Sequence, residues 1–542
     1  MQSQTTVRIS APPWLTDRQA ELNSALTDGG GLPPGIRVEF DDEAYAGDAL
    51  ETYGRWLSEG RTSPTIMVMD NPWPSVFIDR EQLQPLDPLL AESLTDRIRE
   101  EYLSSIVSTA SDDDDTLYGL PLIIDLPTIL YRKDVLRQAG YTDSEFRRWS
   151  NDSMSWQQFS AVVEAGMAAS GLDGFLWQGA AYEGLACCTF VDFMSSWGGA
   201  YFGGYENLFG PVGDRPITVD EQPVVDAIRM LRTFMYGPSD DAALDGYAAI
   251  SPEAVVDYTE DESHRSFTDG QAIALRNWTY SIDANGAEDR LGDDLGVMPI
   301  PYEVSRAESK YGPEIGGMPA ALGGWHLTVN PNAPTAKQEA AVEVLRAFHT
   351  PQVRHHLFES YGLVSPVPDD LTRDEFREAD PLGRYADTLQ TALENLVPRP
   401  VTRVWPPQSD AIATEVNAAL RRRKGPQGAM DDLEQRLREI EESVLSPTST
   451  PTPTERSGGG RTESAGPGSS GTRAASGSTG SGSSEPTTSS TSVGTPTAER
   501  ATDVANEDGT RAGTSRESAP GFGVLAALAG FGALAWRRRR RD

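Results

Sequence analysis

Two aspartates close apolar runs. Asp70 follows Thr65-Ile66-Met67-Val68-Met69 and precedes Asn71-Pro72-Trp73-Pro74. Asp125 ends Leu120-Pro121-Leu122-Ile123-Ile124. Five tryptophans, Trp73, Trp177, Trp278, Trp325 and Trp405, lie within two residues of Gly, Pro or charged residues, not in the middle of helical patterns. A carboxylate accepts hydrogen bonds from hydroxyls, and an indole offers a flat apolar face. Together they suit a ligand with both surfaces, such as a sugar, held in an enclosed site of mixed lining. The same residue types allow a second chemistry. Asp125 and Glu183 could act as the acid and base of a glycosidase, which needs a carboxyl separation of about 5–9.5 Å.

The elements that position these residues read as α/β. Val7-Arg8-Ile9 and Ile36 to Phe40 alternate as strands do, and Thr65 to Met69 is continuous as a buried parallel strand is. Thr128 to Tyr131 reads as a further strand. Thr16 to Leu26 reads as a helix with Thr16 as its N-cap. Val224, Ile228, Leu231 and Met235 share one helical face, as do Ala341, Leu345 and Phe348 behind a Thr335 cap. Alternating strands and helices predict open sheets with right-handed crossovers, and such sheets bind ligands at the carboxyl ends of strands. Asp70 and Asp125 stand at such ends.

The chain has 542 residues, 46 Lys+Arg against 81 Asp+Glu, and a net charge of −35. Only Lys133, Lys310, Lys337 and Lys424 are lysine. So acidic a chain repels nucleic acid, whose binding needs clustered bases. Abundant carboxylate with scarce lysine resembles the proteins of salt-loving archaea, where molar salt shortens the Debye length to about 3 Å. Cys187 and Cys188 are adjacent, and a bridge between neighbours is strained, so both are expected as small buried side chains. No cofactor or metal is expected: five histidines are scattered, and His355 and His356 point apart on a helix. Asp112 to Asp115 reads as a solvated loop.

Residues 446–518 are Ser, Thr, Gly and Pro with few apolar side chains and read as a disordered linker. Residues 519–542 carry Pro520-Gly521-Phe522-Gly523, an apolar stretch from Val524 to Trp536 and five arginines, Arg537 to Arg541. The stretch is shorter than the ~20 residues of a spanning helix. The order resembles the PGF-CTERM sorting signal of haloarchaeal surface proteins, which implies cleavage by an archaeosortase and lipid attachment. Linker and tail carry nine acids and eleven bases, so the excess acid belongs to residues 1–445. Met1 to Thr6 run into a strand-like segment without the basic and apolar regions of an export leader. The expectation of an outward-facing, C-terminally tethered protein therefore rests on the tail.

Several segments together resemble the family 1 extracellular solute-binding proteins of ABC importers, near the trehalose/maltose-binding branch. They are Tyr118-Gly119-Leu120-Pro121 with Asp125, Leu130-Tyr131-Arg132-Lys133-Asp134, Ser155-Trp156 with Phe159, and Phe175 through Leu185 with Trp197-Gly198-Gly199. Arg276-Asn277-Trp278-Thr279-Tyr280, Gly323-Gly324-Trp325, and Pro398 through Thr402 with Trp405-Pro406 continue the match in order. The resemblance implies a periplasmic-binding-protein-like fold of type II, two α/β lobes joined by hinge segments. It divides the chain into 5–124 and 326–368 for the first lobe, and 125–325 and 369–445 for the second. It implies that Asp70 and Asp125 accept from sugar hydroxyls and that Glu183 lines the second lobe's wall. Trp278, Tyr280 and Trp325 would stack on rings beside the Gly324 amide, Arg399 would donate a bidentate bond, and Trp177 and Trp405 would add to the lining. It implies a monomeric, non-enzymatic receptor that hands its sugar to membrane permease subunits. Two positions depart from the pattern. The loop Ala11-Pro12-Pro13-Trp14 supplies no acid or amide, and Ile123 stands where relatives can carry an aromatic.

Overall fold

The computed structural model describes residues 4–312, 314–400 and 402–445. The linker and the sorting-signal-like tail lie outside the described residues. Among these residues eleven strands follow in order: β1 Thr5–Ser10, β2 Ile36–Asp41, β3 Ile66–Asp70, β4 Gly119–Asp125, β5 Thr128–Arg132, β6 Asp173–Leu176, β7 Ala272–Asn277, β8 Leu295–Met298, β9 Ala320–Ala321, β10 Gly323–Val329 and β11 Leu396–Val397.

They form two principal sheets and one small one. The first sheet has the order β2-β1-β3-β10-β4, and the second has β6-β7-β5-β8. β1, β2 and β3 run parallel, in keeping with the continuous apolar run of β3, while β10 returns antiparallel between β3 and β4. β9 and β11, two residues each, pair with each other in a two-stranded sheet beside the crossing. This is the expected arrangement of two α/β lobes. The chain leaves the first sheet at Asp125 and enters the second at Thr128, then returns through β9 into β10. Strand ends set the first sheet's limits one residue beyond 124 and three residues before 326.

Helices cover both sheets. Thr335–Phe348 and Pro351–Tyr361 lie on the first lobe, where the Tyr361 hydroxyl donates to the Arg18 carbonyl at 3.1 Å. Trp405–Leu420 and Pro426–Leu445 lie on the second. There Asn417 Nδ2 donates to the Gly179 carbonyl at 2.7 Å, and Arg215 pairs with Glu441 at 2.7 Å.

Local chemistry sets the helix ends. Ser155 caps Trp156–Ser170: its Oγ accepts from the Gln158 N–H at 3.2 Å, and Gln158 reaches back to the Ser155 N–H. Gly171 closes that helix in the left-handed region at φ 74°. Its buried face begins the second lobe's aromatic core. Trp156 packs 5.2 Å from Phe193, and Phe159 packs 4.9 Å from Phe175, both centroid to centroid. Val224, Ile228, Leu231 and Met235 are all buried on helix Gln222–Tyr236.

Two expected caps are corrected. The helix expected from Thr16 to Leu26 is broken into Pro13–Thr16 and Gln19–Asp28. Pro13 presets a helical φ and starts the first piece early, and the Thr16 hydroxyl donates back to the Pro13 carbonyl at 3.3 Å. Thr335 is likewise the first helical residue and not the cap, which is Pro334.

Candidate functional site

Strand register brings the first-lobe candidates together. In the β3–β10 pair Trp325 stands opposite Asp70. In the β10–β4 pair Gly323 stands opposite Asp125, and Gly324 opposite Ile124. Directly opposed residues share a face, so Asp70 and Trp325 project together. Gly324 makes this close pairing feasible. Its φ is +152°, and a Cβ there would sit 2.6 Å from the Ile123 carbonyl oxygen. Its own carbonyl accepts from the Asn71 N–H at 3.1 Å, which locks the end of β3 to β10.

Aromatic rings back this end of the sheet. Trp325 lies 5.6 Å from Trp14, 6.1 Å from Trp73 and 6.2 Å from Tyr45, centroid to centroid. The Pro12-Pro13-Trp14 loop thus contributes a ring where it lacks an acid. Tyr45 is anchored by its hydroxyl, which donates to the Val68 carbonyl at 2.5 Å. Among the described residues, Asp70 Oδ2, Trp73 Nε1 and Asp125 Oδ1 are buried without a hydrogen-bond partner. Unpaired buried polar atoms are costly, and a ligand that supplies partners relieves that cost.

The second lobe contributes Glu183, Trp278, Arg399 and Trp405. Arg399 is wholly buried. Its Nε and Nη2 donate to the Leu322 carbonyl at 3.1 and 2.9 Å, and its Nη1 donates to Cys188 Sγ at 2.7 Å. The two cysteines are buried as expected, and Cys188 also faces the guanidinium. Glu183 Oε1 accepts from Trp405 Nε1 at 2.9 Å. A Cβ on Gly323 would sit 2.7 Å from the Asp125 Cβ and 3.2 Å from the Trp278 ring, so Trp278 borders the aspartate across the crossing.

Arg399 is the shared countercharge. Burial pushes the Asp70 carboxyl well above its ordinary range; Arg399 opposes the shift and Glu183 adds to it. Burial pushes Asp125 up to about 7, again opposed by Arg399. It pushes Glu183 up to about 7 as well, opposed by the Trp405 hydrogen bond and by Arg399. Three acids thus face one cation in a desolvated space. Hydroxyl groups, which both donate and accept, can pair with such a set.

One candidate stands apart. Trp177 is wholly buried in the second lobe's core, 5.6 Å from Phe193, with Nε1 donating to Ser251 Oγ at 3.1 Å. Its role is packing. Tyr280 stays near the acids: it lies 5.3 Å from the His264 ring, and burial, then the charges of Glu260 and Asp125, raise its phenol pKa.

Residues that spacing does not reveal complete the wall. Glu260 is buried at the start of helix Glu260–Thr268. It accepts from the Tyr182 hydroxyl at 2.7 Å and from Trp278 Nε1 at 3.5 Å. In sequence it looks like one more acid of a solvated first turn. Arg276 lies 4.4 Å from the Trp278 ring centroid and pairs with buried Asp192 at 2.6 Å. The strand alternation of Ala272–Asn277 hints only that Arg276 faces inward.

A model of the bacterial extracellular solute-binding proteins matches residues 32–383. A probable ABC transporter-binding protein of Deinococcus radiodurans is 29% identical over 331 residues, covering 60% of this chain and 69% of that protein. Among solved structures, the maltose-bound MalE3 of T. maritima superposes with a TM-score of 0.65 at 24% identity, covering 80% of this chain and 99% of that one. UgpB of Mycobacterium tuberculosis, in complex with glycerophosphocholine, gives 0.63 at 18% identity, covering 82% and 100%. A solute-binding protein of Thermotoga lettingae with bound α-D-tagatose gives 0.62 at 18%, covering 81% and 100%.

Proposed function

The chain belongs to the bacterial extracellular solute-binding proteins, a family of receptors and not of enzymes, and from that premise we propose that it captures a sugar between its lobes for an ABC permease. A disaccharide such as trehalose or maltose is the proposed ligand. The observation that carries this reading is the convergence of Asp70, Asp125 and Trp325 at the first sheet's strand ends with Trp278, Glu183 and Arg399 of the second lobe. Trp325 and Trp278 offer ring faces, one per lobe. Asp70 and Asp125 hold unpaired acceptor oxygens, and sugar hydroxyls donate to such atoms. Gly324 lets the backbone approach, Arg399 orients the acids, and Trp405 holds Glu183 in place. The maltose-bound and tagatose-bound neighbours are consistent in fold.

Glu183 bonded to an indole and Asp125 beside Arg399 act here as acceptors. The proposed cellular setting is the outer face of a haloarchaeal membrane. There the chain works as a monomer on its linker, tethered after archaeosortase cleavage at the PGF-type tail. The acidic exterior then serves solvation in salt.

The test is a titration of intrinsic tryptophan fluorescence with maltose and trehalose in molar salt. Saturable quenching with the sugar recovered intact supports the reading. Conversion of the sugar to products, or no response to any sugar, refutes it.

A further inference from the structure

We propose that Asp192 is a positioning residue that ties the ring-stacking face of the second lobe to the crossing strands; the proposal rests on the sugar-cleft reading above. Asp192 is wholly buried on helix Phe190–Ser196. Its Oδ2 accepts from Arg276 Nε at 2.9 Å and from Nη2 at 2.6 Å. Its Oδ1 accepts from the Ala321 backbone N–H at 2.8 Å.

Each partner leads to a different half of the cleft. The Arg276 guanidinium carbon lies 4.4 Å from the Trp278 ring centroid, so this cation sits against the indole. Gln178 fixes the other side of Arg276: its Oε1 accepts from Nη1 at 3.2 Å, and its Nε2 donates to the Arg276 carbonyl at 2.8 Å. Ala321 belongs to β9, which pairs with β11. The next residue, Leu322, holds Arg399 through its carbonyl, and Gly323 faces Asp125. One carboxylate therefore grips both the cation against Trp278 and the strand from which Arg399 is held.

Stability alone does not require this. Apolar pairs of similar volume often replace a buried ion pair without loss. They cannot accept from the Ala321 N–H, nor hold a cation against an indole. The charged pair supplies geometry: a ring settling on Trp278 fixes Arg276, Asp192 carries that to Ala321 and Leu322, and Leu322 sets Arg399 against Asp70 and Asp125. Such a path needs coupling evidence, which a double-mutant cycle provides.

The test uses the full chain and three readouts. Asp192→Asn keeps the volume and one acceptor oxygen but loses the ion pair, and is expected to weaken maltose or trehalose binding roughly tenfold. The paired replacement Asp192→Leu with Arg276→Met restores an apolar contact and removes both links. In that background Trp278→Ala is expected to weaken binding less than about twofold further, against about tenfold or more in the native background. Equal, additive losses in both backgrounds overturn the coupling. Hydrogen exchange at the Ala321 amide needs no sugar and is read in the paired Asp192→Leu, Arg276→Met variant, which leaves that N–H no acceptor at position 192. Faster exchange there than in the native chain supports the strut, and equal exchange overturns it. If no sugar quenches fluorescence, the cleft reading fails on its own, and the exchange experiment still judges the strut.

Discussion

Alanine at position 324 would place a methyl carbon 2.6 Å from the Ile123 carbonyl oxygen, 2.8 Å from Ile106 Cδ1 and 3.3 Å from the Ile124 Cα. The Ile106 methyl can swing aside. The Ile123 carbonyl is backbone of β4 and moves only if β4 separates from β10. The φ of +152° adds strain of about 1–3 kcal/mol for any residue with a Cβ, and overpacking adds a similar amount. Gly324→Ala is therefore expected to lose about 2–6 kcal/mol of stability in guanidinium denaturation. It should also weaken sugar binding, because Trp325 is the next residue and faces Asp70. Gly323→Ala is the contrasting variant. Its added methyl meets the Asp125 Cβ at 2.7 Å, the Trp278 ring at 3.2 Å and the Asp125 carbonyl oxygen at 3.3 Å, so it is crowded too, but its φ is not in the left-handed region and that strain is absent. It should cost less stability while disturbing binding at least as much. A Gly324→Ala chain within about 0.5 kcal/mol of native stability, binding sugar normally, would refute the claim that close backbone pairing shapes the site.

Three further outcomes follow from the same geometry. Trp278→Ala and Trp325→Ala should each weaken sugar binding by about 1–3 kcal/mol, by analogy with base stacking on aromatic side chains; Trp177→Ala should instead cost about 3–5 kcal/mol of stability, separable by denaturation and titration. Asp125 and Glu183 have folded pKa values raised to about 7, above their ordinary 3.8 and 4.5. Their contribution to stability is thus complete below those ordinary values and is lost as pH rises through about 7. Ligand-free denaturation curves should show stability falling by at most about 1.4 kcal/mol per pH unit for each group, a slope that Asp125→Asn and Glu183→Gln flatten. Arg399→Met removes the countercharge of three acids, so the pH at which this slope ends should move upward, read from the same curves.

Much of the fold is written locally. Apolar runs that stop at Asp70 and Asp125 announce strand ends, and Ser155 with Gln158 announces a helix start. What joins those ends is not local. Trp177 and Trp405 look alike in sequence, each within two residues of a glycine or proline. One donates to Ser251 inside the core, the other to Glu183, 222 positions away. Arg276 lies within a quoted motif, but its meaning depends on Asp192, 84 positions earlier, and on Ala321 in a two-residue strand too short to show a period. Glu260 hides among the acids of a first turn because burial, unlike charge, leaves no mark on composition. Trp14 follows two prolines and reads as a gap in the polar set; only its 5.6 Å approach to Trp325 makes it part of the site.

The measurement that bears most directly on the central claim is a fluorescence titration of the native chain alongside Asp70→Asn and Arg399→Met with maltose and trehalose. The cleft reading predicts saturable quenching in the native chain, sugar recovered unchanged, and binding weakened at least tenfold in both variants. Native affinity in both variants, or sugar consumed by the native chain, would contradict it.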